Sequence, residues 1–144
     1  MRVRLRGEDG RAIVEFVFLG VLMLLPLLYL VLTAARIQAA SFAASLASRE
    51  AGRAFVTGRD DGDAKERAYA AAGLAFEDFA FDRGAGLELT CDGSPCLRPD
   101  GLVTARSSIA VQLPLIPDFI ADRVPSAVTI SSTHVQAVDR FVAR

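Results

Sequence analysis

Residues 16–35, FVFLGVLMLLPLLYLVLTAA, form an apolar run without one charged side chain. About 20 helical residues at 1.5 Å each cover the ~30 Å hydrocarbon core of a bilayer, so the run predicts a transmembrane helix. Secretory signals usually carry about 7–15 apolar residues followed by a small-residue cleavage site. Here the run is longer, and no A-x-A stop closes it before Arg36, which favours a retained anchor. Pro26 removes a backbone hydrogen bond mid-span and predicts a kink or local melting.

Beyond Arg36 the helical pattern continues in milder residues. The stretch 36–55 has no Pro, and no Gly before Gly52. At 100° per residue, Gln38, Ser41, Ser45, Ser48 and Gly52 form a narrow polar stripe, and Ile37, Ala40, Ala44, Ala47, Ala51 and Phe55 a broad apolar face. Small residues four apart (Ala40/Ala44, Ala47/Ala51) allow a close neighbour. The face is read as the seat of the protein's own sheet, with partner helices along it as the alternative.

The segment TGRDDGD at 57–63 interrupts the helix. Asp63 with Glu66 reads as a capping box opening a second helix, Ala64 to Phe79, whose Tyr69, Ala72, Phe76 and Phe79 form a core stripe. Strand patterns follow. Leu87, Leu89 and Cys91 alternate with Glu88 and Thr90. From Leu102 to Leu113, Val103, Ala105, Ser107, Ile109, Val111 and Leu113 form the less polar face. A third strand starts with Val128 and Ile130, but apolar character shifts phase to Val135 and Ala137, predicting a bulge or bend near Ser131-Ser132. Pro114, Pro117 and Pro125 bracket a loop or short helical turn around Asp118–Ala121. The fold class is α+β: a long N-terminal helix continuing outward, a second helix and a small antiparallel sheet.

Composition and charge supply the orientation. The 144 residues are 52% hydrophobic, and the mean hydropathy of +0.35 owes its height to the apolar run. Arg2, Arg4, Arg6 and Arg11 precede the run against Arg36 alone at its far end, so the N-terminus is expected in the cytoplasm and the rest outside the cytoplasmic membrane. The net charge of −1 is too balanced to argue for nucleic acid.

Glu15 alone interrupts the start of the span, at the fifth position after Gly10. A charge at the centre of a membrane helix costs about 2.5–3.5 kcal/mol, less near its end, so the residue calls for an explanation. A short Arg-bearing leader ending in Gly10, then Arg11, then Glu15 and Phe16 opening an apolar helix, resembles the type IV prepilin class. The string RGEDGRAIVEF looks most like TadE-like pseudopilins of tight-adherence (Flp-type) pilus systems, over roughly residues 6–35. That resemblance implies a leader at 1–10, cut by a prepilin peptidase between Gly10 and Arg11, a transmembrane helix at 11–35, and an extracytoplasmic pilin-like domain at 36–144. Arg11 departs from the family, where Phe or Met often stands. Gly7 is a poor alternative site, because its fifth following residue is Ala12. The implied function is that of a minor pilin or pseudopilin, whose partners are the peptidase, other pilins and pilus-assembly membrane proteins. In a fibre, Glu15 would pair with the freed α-amino group of a neighbour. Such a pair specifies register more than it adds stability. The plain alternative has Glu15 snorkelling to the interface of an uncleaved anchor that carries an exported binding module.

Other chemistry has little footing. Cys91 and Cys96 enclose Asp-Gly-Ser-Pro, a turn sequence, and in an exported domain read as a disulfide, with free thiols the alternative. A zinc site would need more ligands than these and His134 supply. Asp60, Asp61 and Asp63 are spaced like part of a calcium loop, yet the Gly and terminal Glu are misplaced, so a helix cap is the better reading. No Ser/His/Asp set or glycine-rich phosphate loop is visible, so neither catalysis nor a cofactor is expected.

Overall fold

The computed structural model describes residues 9–81, 83–112 and 127–141. It has an α+β fold in the order α1 (Asp9–Val56), α2 (Asp61–Asp78), β1 (Ala85–Cys91), β2 (Leu102–Gln112) and β3 (Ala127–Ala137). The chain divides into two units, Met1–Ala35 and Arg36–Arg144.

In the first unit, the described residues are helical throughout. The helix runs through Pro26 without interruption, so the predicted local melting does not occur. A proline displaces only the hydrogen bond to the preceding turn, and the flanking bonds hold the rest. The side chains are large, apolar and uncovered: Phe16 is 77% exposed, Met23 76% and Leu25 60%. The apolar window has a mean hydropathy of 2.6 with none of it buried, unlike the core helix of a water-soluble domain. The helix is thus long and apolar enough to cross a membrane.

The second unit is built around alanine. Ala40, Ala43, Ala44, Ala47, Ala51 and Phe55 of α1 are fully buried, in one core with Ala64, Ala68, Ala72 and Phe76 of α2. Methyl-sized groups contribute only about 0.8 kcal/mol each, so Phe55 is the largest single contribution from α1. Their smallness lets the backbones come close. The Ser107 hydroxyl donates to the Ala44 carbonyl at 2.6 Å, and a side chain at Gly52 would meet His134 at 3.2 Å. The alanine face therefore carries the protein's own sheet.

The sheet is antiparallel in the order β1-β2-β3. The alternation predicted for β2 is observed: Val103, Ala105, Ser107, Ile109 and Val111 are all buried. Leu113 and the proline-bracketed loop lie outside the described residues. The bulge predicted in β3 is absent. Its register with β2 runs without a slip from Leu102↔Ala137 to Gln112↔Ala127. Ser132, His134 and Gln136 therefore stay on the same face as Val128 and Ile130, opposite Ser107, Ala105 and Val103. Polar side chains are tolerated there because α1 meets them with its own polar stripe. Ser48 donates to Ser132 at 3.3 Å, and both Ser48 and Gly52 are buried although they belong to that stripe.

α2 begins three residues before its predicted start. Asp60, in extended conformation (φ −144°, ψ 173°), is the N-cap, and its carboxylate accepts from the Gly62 and Asp63 N–H groups. Asp63 lies inside the first turn, so the capping box with Glu66 is not formed. Of the expected core stripe, Ala72 and Phe76 are buried and Phe79 packs against the core, whereas Tyr69 is 52% exposed. Alanines at 64, 68 and 72 occupy the buried face in its place.

Candidate functional site

Gly10, Arg11, Glu15 and Phe16 all lie in the first turns of α1. Four residues of helix separate Arg11 from Glu15, which puts them on one face. Both are exposed, yet neither makes an ion pair or side-chain hydrogen bond with any described residue. Phe16 is likewise uncovered. Gly10 is helical, and a Cβ built on it would meet nothing within 4 Å. Among the described residues, packing gives no reason for glycine there. A carboxylate without a partner and a glycine without a steric cause thus bracket the start of the apolar segment.

The disulfide is present: Cys91 at the end of β1 is bonded to Cys96, with Cα atoms 5.4 Å apart. The turn it closes is held by two carboxylates. Asp61 accepts from the Cys96 N–H at 3.0 Å and the Leu97 N–H at 3.2 Å. Asp92 accepts from the Leu102 N–H at 2.9 Å and pairs with Arg98 at 2.9 Å. Beyond the turn, Asp100 receives Arg140 at 3.1 Å. Asp61 had no signal in the sequence, because its partners are backbone groups 35 and 36 residues away.

The three clustered aspartates are divided among separate tasks. Asp60 caps, Asp61 holds the turn, and Asp63 accepts from the Arg59 N–H at 2.9 Å and pairs with Arg67 at 2.9 Å. These donors, the Arg59 backbone N–H first, hold the Asp63 carboxyl at about 2, below the usual carboxylate range. A calcium loop would need their oxygens to converge, and here each is turned to a different donor. Among the described residues no group of three or more His, Cys, Asp and Glu could hold a metal ion. His134 is a half-buried strand residue whose Nε2 lies 3.4 Å from Gln136 Oε1.

Comparison with protein-family models, with curated proteins and with solved structures finds no match to this chain.

Proposed function

We propose that the protein is a minor pilin or pseudopilin acting in assembly of a tight-adherence (Flp-type IVb) pilus. It would sit in the cytoplasmic membrane by a single pass, N-terminus cytoplasmic and α+β unit extracytoplasmic, with pilus association after processing. The observation that carries this reading is the unpartnered Glu15, five residues after a glycine that packing does not require, at the head of an uncovered apolar helix. A plain anchor would be as stable with Gln or Leu at that position, since a buried charge only adds cost. Glycine weakens the first helical turn. That eases the local unwinding a peptidase needs at the Gly10–Arg11 bond. Cleavage creates an α-amino group at Arg11, and a neighbour's Glu15 can then be matched by charge within the apolar phase.

Co-expression with a cognate prepilin peptidase, followed by N-terminal mass spectrometry, is expected to yield a chain beginning at Arg11. Gly10→Val blocks that cut. Persistence of the intact leader in the parent chain would assign the protein instead to uncleaved anchors carrying a binding module. Glu15→Gln leaves insertion and cleavage intact but lowers co-purification with other pilus components. If the variant assembles as well as the parent, the ion-pair mechanism fails.

A further inference from the structure

At the Gln112 end of the sheet, two arginines line one cavity of about 200 Å³, with Phe81 and the β2 residues Ala110, Val111 and Gln112 forming its other walls. The cations are Arg36 and Arg83. Elsewhere in this unit Arg49, Lys65 and Arg106 meet no carboxylate among the described residues, whereas Arg53, Arg59, Arg67, Arg98 and Arg140 each meet one. Neither Arg36 nor Arg83 does so among the described residues. Arg36 stands over the Phe81 ring, 5.7 Å from its centroid, and Phe81 is itself only 7% exposed. The guanidinium is thus oriented by an aromatic face that leaves its hydrogen-bond donors free.

The backbone that presents this cavity is tightly specified. α2 closes in a Schellman turn, with the Phe81 N–H donating to Phe76 and the Ala80 N–H to Glu77. The left-handed position of that turn, ordinarily glycine, is Ala80 at φ 57°. Gly84 follows at φ +74°, and its carbonyl accepts from the Ala110 N–H at 2.8 Å. A side chain at Gly84 would press on Ala110 at 3.3 Å. Phe81 and Gly84 are thus each anchored by a main-chain bond, Phe81 to the end of α2 and Gly84 to β2.

We propose that this cavity binds the phosphate of a membrane phospholipid headgroup. Planar guanidinium groups match phosphate oxygens with paired donors. Position selects the lipid over a free anion. Arg36 directly follows the uncharged run 16–35, and about 20 helical residues bring the chain to headgroup depth. The proposal rests on the reading of that run as a membrane anchor, and its test separates the two.

The full chain, purified in mild detergent from membranes supplemented with phosphatidylglycerol, is examined by native mass spectrometry. The parent is expected to retain phosphatidylglycerol, and Arg36→Gln with Arg83→Gln to lower retention about tenfold or more, as loss of charge-assisted bonds implies. Arg140→Gln, at the opposite end of the sheet, retains the lipid as the parent does. Equal retention by the double variant and the parent overturns the proposal. So does displacement of the lipid by inorganic phosphate that also binds the lipid-free protein, which would make the ligand a free anion. Alkaline extraction of the same membranes tests the anchor. A parent chain that stays in the pellet but retains no lipid sinks the cavity assignment alone, whereas a chain that washes off removes the anchor and the lipid together. A denaturant midpoint of the α+β unit equal to the parent's shows that the double variant is folded.

Discussion

Phe16 and Ala44 belong to the same helix, yet Phe16 is 77% exposed and Ala44 0%. The stretch richest in Leu, Val and Phe is left uncovered, and the stretch of alanine and serine is enclosed. Along α1, hydrophobicity alone therefore does not predict burial. Large apolar side chains around the whole circumference keep protein neighbours at a distance and suit a hydrocarbon solvent. Small ones let a sheet come within hydrogen-bonding reach of the helix backbone, as Ser107 does at Ala44.

That contrast can be broken most forcefully at Phe55. Replacing this fully buried ring by alanine is expected to cost about 3–5 kcal/mol, read as a lower denaturant midpoint of the α+β unit. Leu24→Ala, at a position 61% exposed, leaves that midpoint unchanged. Equal effects at the two sites would erase the distinction. Conversely, Leu25→Arg should act on membrane insertion, by about 2.5–3.5 kcal/mol near the span centre. The measurement is the fraction of chain that resists alkaline extraction, with the α+β unit retaining its disulfide.

Smaller effects sharpen the picture of the enclosed unit. Cys91→Ser with Cys96→Ser removes the constraint on a short loop, an expected loss of about 2 kcal/mol seen in thermal unfolding. Asp61→Asn, which weakens the grip on the Cys96 and Leu97 N–H groups, costs about 1 kcal/mol on the same scale. The mildest change concerns Asp63, whose carboxyl is held at about 2. Because the folded value is depressed, its contribution is fully present above the ordinary carboxylate value near about 4 and is lost as pH falls through about 2. Asp63→Asn should therefore lower helix stability at neutral pH, and its difference from the parent should vanish in strong acid. A difference that is independent of pH would contradict this account.

Legibility in the sequence followed how local the deciding interaction was. β2 could be read residue by residue, because its alternation reports a face buried by the unit's own core. β3 could not. Its inner Ser132, His134 and Gln136 look like outward residues until the polar stripe of α1 is laid against them. The sequence shows both stripes but not their pairing. The start of α2 was ambiguous because Asp60 and Asp63 are chemically identical caps, and only the extended backbone at Asp60 separates them. The spacing of Tyr69 points to the core, but alanines occupy the buried face of α2 and leave the ring half exposed. At the head of α1, Glu15 stands out in the sequence because it interrupts an apolar run, and Gly10 only through the resemblance to prepilins, whereas Arg36 and Arg83 meet only through the segment between α2 and β1.

The bond from Ser107 to the Ala44 carbonyl has a consequence for how this chain can drift over generations. The acceptor is a main-chain group, so every genetic replacement at position 44 preserves it. What the site can reject is bulk, since a larger side chain would pry the strand away from the helix. The chemical requirement falls wholly on the other partner, where valine or alanine would leave the strand's hydroxyl donor missing. Substitution rates at the two ends of one bond should then diverge: position 44 free among the small residues, and position 107 confined to those that carry a short hydroxyl.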